Sequence, residues 1–284
     1  MKARAAPRRQ RLAFFVLGLA MAVTVAPVLI ITAILLYYGL PALTWTFLTS
    51  PPGPGMRSGG IFPAIVGTLL LVVGTIVLAL PIGVAAGVYL TEYARSGPLT
   101  RFIHLAIVNL AGVPSIVFGL FGLALFVTLL GFGSSLLAGW GTLALLVLPV
   151  TISATEEALR AVPQDLREAS LALGATRGQT IWRVVLPNAG PGILTGAIIA
   201  IGRAAGETAP ILFTVAAFYL SRLPHSIFDQ AMALPYHLFI IATQVPDVPP
   251  QAKWGTALVL LLLVLGLNLG AILLRYRLRV RRRG

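Results

Sequence analysis

Four stretches of this sequence, 12–56, 58–91, 102–155 and 254–274, contain no Asp, Glu, Lys or Arg. About 20 consecutive apolar residues are enough for a helix to cross a bilayer. A chain of 284 residues has too little polar sequence to cover four such runs in water, since only 10% of it is charged and 58% is hydrophobic. An ordinary soluble domain carries about 25% charge. A water-soluble globule is therefore excluded, and the chain reads as an all-α polytopic membrane protein.

Length and the positions of Gly, Pro and charge predict six transmembrane helices, near 12–38, 63–90, 104–130, 136–154, 192–220 and 254–275. The third and fourth share one uncharged run, divided where Gly131, Gly133, Ser134 and Ser135 collect. The basic start, from Lys2 to Arg11, mimics a signal peptide, but the apolar run behind it exceeds an h-region, so the first span is read as retained.

Positive charge sets the expected orientation, because Lys and Arg stay on the cytoplasmic side. Seventeen of the 21 basic residues fall in the two tails and in the segments around 95–101 and 160–183, whereas the alternate loops carry Arg57, Arg222 and Lys253. Both termini are thus expected in the cytoplasm. The net charge of +13 is accounted for by orientation and by contact with anionic lipid, with no need for nucleic acid. The outer loops, including Pro51-Pro52-Gly53-Pro54-Gly55 and 221–253, show no evident fold of their own.

Several chemistries lack their residues. A phosphate-binding G-x-x-x-x-G-K-[ST] loop is impossible, since the only lysines, Lys2 and Lys253, do not follow glycine. G-x-S-x-G and H-E-x-x-H do not occur, and there is no cysteine. His225 and Asp229 could share a helical face, a weak signal for a metal. No catalytic residue, metal ligand or cofactor is expected in this chain.

The most polar segment, 156–190, spells two short amphipathic helices. Pro163 suits the first position of one, Asp165 and Glu168 its positive end, and Gly174 a left-handed stop. Leu166, Ala169, Ser170 and Leu173 then share a face. The second helix restarts at Thr176 with Gln179 in a capping box, has an apolar side of Ile181, Trp182 and Val185, and is expected to end at Leu186-Pro187. A capped amphipathic hairpin needs a surface to lie on, either the membrane interface or a partner. Its register, Glu168-Ala169-Ser170, three residues, Gly174, nine residues, Val184-Val185-Leu186-Pro187, resembles the EAA loop of ABC importer permeases, with Ser170 and Val184 departing from Ala and Ile. The resemblance implies a coupling element gripped by a separate ATPase.

Arg203 and Glu207 lie well inside the fifth apolar run, where each charge costs at least about 2.5 to 3.5 kcal/mol on insertion scales. Their spacing allows mutual neutralisation, and Pro210 should bend or open the helix beside them. Gly192, Gly196, Gly202 and Gly206 permit close helix approach. The pair serves either as a structural bridge or as an oxyanion path, in which a guanidinium fork meets oxygens and a carboxylate accepts a hydrogen bond from a substrate that still carries a proton, as phosphate does near neutral pH and sulfate does not.

Gly202-Arg203-Ala204-Ala205-Gly206-Glu207-Thr208-Ala209-Pro210, with Gly59-Gly60-Ile61-Phe62-Pro63 and the residues after it, is similar to phosphate ABC transporter permeases of the PstA type. That resemblance implies the type I importer permease (MetI-like) fold over 59–275. Residues 1–58 then hold the basic tail, first span and outer loop, and 276–284 a basic tail. It implies Arg203, Glu207 and Thr208 on the substrate pathway, and Glu168, Ala169, Ser170, Gly174, Leu186 and Pro187 in ATPase coupling. Its expected partners are a second permease of PstC type, an ATPase dimer of PstB type that holds ATP and Mg, and a phosphate-binding protein of PstS type, in the inner membrane of a bacterium or archaeon. A permease for sulfate or molybdate, a proton-coupled transporter using Glu207, and a purely structural subunit remain alternatives.

Overall fold

The computed structural model describes residues 8–280; the ends of both basic tails, 1–7 and 281–284, lie outside the described residues. The described chain is helical, in the order α1 (Arg8–Gly39), α2 (Trp45–Thr49), α3 (Phe62–Val88), α4 (Pro98–Ala111), α5 (Ser115–Gly122), α6 (Leu136–Arg160), α7 (Gln164–Ala172), α8 (Arg177–Thr180), α9 (Leu186–Gly206), α10 (Ala209–Thr214), α11 (Leu234–Thr243) and α12 (Pro250–Val280). Wider π-helical turns extend α3 through Tyr89–Tyr93, extend α5 through Leu123–Leu129, and join α8 to α9 through Ile181–Val185. Five helical stretches are long and apolar enough to cross a membrane, or six when the bent pair α4–α5 is taken as one.

The centre of the fold is α6, packed on α3 and α9 through positions where side chains are small. Gly83 and Gly87 of α3 face Thr151 and Thr155, while Gly192 and Gly196 of α9 face Ala158 and Ala154. The expected glycine seam is therefore real in its first half; a Cβ at Gly202 would face Asn268 instead, and one at Gly206 would meet open space. Buried Thr75, Thr142, Thr151 and Thr155 return their hydroxyl protons to carbonyls one turn back, so they add no unsatisfied polar group to the apolar contact. Helix α1 is peripheral. Its C-terminal end meets the start of α12, where Gly39 lies against Leu258 and the Trp254 carbonyl and Tyr38 stacks on Trp254 at 5.5 Å.

Three expected elements come out differently. The third span is not a single helix over 104–130: α4 and α5 meet at 103° across Gly112–Pro114. Pro114 supplies no backbone N–H and disfavours helix at the residue before it, which ends α4 there. The fifth span does not run over 192–220. Helix α9 stops at Gly206, Glu207 is extended, and α10 is a separate short piece. Leu186-Pro187 does not end the second hairpin helix, because Pro187 enters the first turn of α9, where its missing N–H costs little after a π-helical turn.

The loops expected on the outer side also have more order than their composition suggests. Residues 51–60 form a turn closed by Gly53 N–H to the Ser58 carbonyl at 2.8 Å and Gly60 N–H to the Pro51 carbonyl at 3.0 Å, with Gly59 at φ +83. The segment after α10 folds back into the protein. Ala217 N–H donates to the Ala231 carbonyl at 3.0 Å, and Leu234 N–H donates to the Thr68 hydroxyl at 2.8 Å. Helix α11 then buries Leu234, Tyr236, His237, Ile240 and Ile241. Non-helical backbone at such depth is tolerable only where protein satisfies it, and these bonds do so.

Candidate functional site: a mid-span ion pair and a polar helical hairpin

Register against α6 fixes the height of the ion pair. Gly192 is level with Ala158 and Gly196 with Ala154, and Ala200 and Ala204 share a cluster with Leu146 and Val147. Arg203 therefore sits halfway along the central span. Its Nε lies 3.6 Å from Glu207 Oε1, with side-chain exposures of 29% and 16%. The helix ends between the two residues, so Glu207 reaches back from an extended backbone (φ -73, ψ 134), not from the next helical turn. Pro210 is the sequence signal for that break. Thr208 occupies the break and is half-buried.

The contact uses the inner nitrogen of the guanidinium, and the terminal nitrogens make no hydrogen bond to a described residue. Two donors thus stay available on the open side of the pair. A planar fork of this kind matches two oxygens of a tetrahedral oxyanion, and the adjacent carboxylate can accept a hydrogen bond from a protonated one. Asn268 of α12, which sequence reasoning missed, presents its amide to Gly202 one residue away, and its Oδ1 is buried without a hydrogen-bond partner. A lone Asn in an apolar run was the available signal.

The hairpin forms as its caps dictate. Pro163 precedes α7 as its N-cap instead of opening it at the first helical position. Gly174 takes φ +83, and Thr176 and Gln179 exchange both bonds of a capping box. Ser170 bonds the Thr180 hydroxyl at 2.9 Å, tying the two helices together in a way that alanine could not. Glu168 and Ala169 are exposed, Leu173 is 89% exposed, and Leu186 and Pro187 are half-buried at the start of α9. The apolar side of the second helix is only Ile181 and Val185, which are buried; Trp182 points outward at 74% exposure. Leu166, Leu171, Leu173 and Trp182 thus leave apolar surface on the hairpin with nothing of this chain upon it.

What fastens the hairpin to the spans was not evident from sequence. Arg167 donates to the carbonyls of Leu159 at 2.8 Å and Val162 at 2.6 Å, so it caps the C-terminal end of α6, where a cation is favoured. It also pairs with Glu92 at 3.0 Å on the π-helical turn after α3. Arg177 donates to the Glu92 carbonyl and lies over the Tyr93 ring at 5.4 Å. Nearby, Glu156 holds Arg160 at 3.2 Å and His104 of α4 at 3.5 Å. One spacing signal existed for Arg160, four residues after Glu156; Arg167 and its carboxylate partner Glu92 are 75 residues apart and carry none.

In the loop between α10 and α11, Asp229 accepts the backbone N–H groups of His225 at 2.9 Å and Ser226 at 3.2 Å. Those bonds, His225 first, hold its carboxyl below the ordinary carboxylate range. The pair is a turn cap, and no cluster suited to a metal occurs among the described residues.

Residues 79–284 match the model of the family described as binding-protein-dependent transport system inner membrane component. The chain belongs to that family. It is 38% identical over 275 residues to a probable ABC transporter permease protein, YqgI, of Bacillus subtilis, a match covering 92% of this chain and 93% of that one. It is 39% identical over 259 residues to the phosphate transport system permease protein PstA of Mycobacterium leprae, covering 89% and 84%. The fold is similar to that of the MetNI methionine ABC transporter in an inward-facing conformation, with a TM-score of 0.58, 21% identity and coverage of 77% and 94%. It is also similar to a bacterial ABC transporter involved in import of the polysaccharide alginate, at 0.62, 15% identity and coverage of 94% and 99%. This inner membrane component is thus a multi-pass membrane protein with the importer permease fold.

Membership makes the local geometry of the hairpin testable. Gly174 has open space where a Cβ would go, so Gly174→Ala meets no clash and feels only the left-handed backbone, about 1 to 2 kcal/mol. The expected result is a looser turn between α7 and α8, read as faster amide exchange at 173–176, with little change in the thermal stability of the spans.

Proposed function

We propose that this chain is a PstA-type permease subunit of an ATP-driven inorganic phosphate importer, forming half of its translocation pathway. The observation that carries the reading is the half-exposed Arg203–Glu207 pair at a helix break halfway across the membrane, with the guanidinium fork left open. Hydrogen phosphate fits that pair in both directions: its oxygens accept hydrogen bonds from Arg203 and its O–H donates one to the Glu207 carboxylate. Sulfate carries no proton at neutral pH and lacks the second half of the match. Thr208, at the break, supplies a further hydroxyl to the same path. The PstA names of the relatives point to the same substrate.

The chain has no covalent chemistry in this scheme and binds no cofactor of its own. A second permease of PstC type completes the pathway, an ATPase dimer of PstB type binds ATP and Mg and grips the hairpin at Glu168, Ala169, Ser170 and Gly174, and a PstS-type protein delivers phosphate from outside. Leu186 and Pro187 pass the stroke into α9, since no turn of irregular chain separates them from it.

Reconstitution of the four components in vesicles tests the proposal. Phosphate should accumulate only with ATP and the binding protein, and tenfold excess sulfate or molybdate should not compete. Accumulation driven by a pH gradient without nucleotide would replace the importer with a proton-coupled carrier, and equal transport of sulfate would remove the role given to Glu207.

A further inference from the structure

Between the hairpin and the inner ends of α3 and α6 lies a cavity of about 650 Å³, lined by Arg160, Arg167, Arg177, Gln164, Thr91 and Thr180, with Glu92 beside them. It belongs neither to the Arg203 path nor to the surface that the hairpin offers to a motor. Residues 164, 167 and 171 of α7 face it, whereas Leu166, Ala169 and Leu173 point the other way around the helix.

Charge on this lining is not balanced. Three guanidinium groups meet one lining carboxylate, Glu92, which Arg167 holds; Arg160 reaches outside the cavity to Glu156, and Arg177 has no carboxylate partner among the described residues. The Arg177 contacts, a backbone carbonyl and the face of Tyr93, leave its charge uncompensated. The Thr91 hydroxyl is buried and has no hydrogen-bond partner. Buried hydroxyls are normally paired, so a site with spare arginine donors and an unpaired hydroxyl is short of an acceptor-rich ligand.

We propose that this cavity binds a phosphate group on the cytoplasmic side, held by Arg177 and Arg160 with Thr91 and Gln164 as further partners. Occupancy ties the hairpin to the inner ends of α3 and α6 and so regulates how freely it moves. Free phosphate and the headgroup of an anionic phospholipid share this chemistry, and the cavity has room for either. The site is independent of what crosses at Arg203.

The test uses the assembled transporter in nucleotide-free nanodiscs, with hydrogen exchange read at 89–93 and 164–181. In neutral phosphatidylcholine, added inorganic phosphate should slow exchange in both segments; if the headgroup is the ligand, phosphatidylglycerol should do so instead. Arg160→Gln with Arg177→Gln should weaken the effect at least tenfold, and Arg160→Gln alone, at an exposed position away from the anchor, about threefold. Arg203→Gln should leave it unchanged, which separates this site from the substrate path. No protection by either ligand, or protection that survives both substitutions, overturns the proposal.

Discussion

Replacing Arg203 by Gln should abolish phosphate uptake, by at least a hundredfold, while the transporter still assembles with its ATPase. The glutamine keeps some hydrogen-bonding capacity but loses the charge, and Glu207 is left alone at 16% exposure level with the middle of α6. Each such charge is costly at that depth. Without the guanidinium beside it, the remaining carboxylate repels an approaching anion. The comparison with Arg203→Lys is diagnostic, since lysine restores a point charge without the planar fork and should recover only part of the rate. A purely structural bridge predicts otherwise: both single variants should lower stability, and Arg203→Gln with Glu207→Gln together should restore uptake. Uptake and the yield of intact complex, measured on the same preparations, decide between the two.

The second large effect is expected at Arg167. Its side chain is 14% exposed and serves Glu92 together with the last carbonyls of α6, so Arg167→Ala removes a cap and strands a buried carboxylate. Breaking one partner of a buried pair costs about 3 to 5 kcal/mol. The loss should be local, because α6 remains packed on α3 and α9 through the glycine seam. The expected result is a transporter in which ATP is hydrolysed while phosphate uptake falls severalfold or more, since the hairpin no longer moves with the spans. Glu92→Gln should have the same sign and a smaller size, because Arg167 keeps its two carbonyl partners. If ATPase activity and uptake fell in strict proportion, the hairpin would be losing its motor and not its anchor.

How far the chain announces this architecture depends on the range of the interaction. The capping box at Thr176 and Gln179 and the left-handed Gly174 were readable because each is decided within a few residues. So was the opening of the helix before Pro210. Gly112-Val113-Pro114 lay equally open to view, yet the length of the apolar run outweighed it, and the 103° bend was missed. The end assigned to Pro187 failed for the opposite reason: a proline rule for isolated helices was overridden by the π-helical turn before it. In 221–253, scattered prolines and an apolar run too short to cross a bilayer concealed α11, whose first N–H donates to the Thr68 hydroxyl of α3 far away in sequence.

Sequence alone determined that the chain lives in a bilayer, that it has about six crossings, that a capped hairpin interrupts them, and that Arg203 and Glu207 are neighbours, because hydropathy, capping and helical spacing act over one or a few turns. Only the tertiary structure decided where the spans break, that the pair sits level with the middle of α6, and that Arg167 and Arg177 bind the hairpin to Glu92 and the end of α6. Those outcomes are settled by contacts between segments tens of residues apart, where packing and the need to pair every buried polar group choose among local conformations of similar energy.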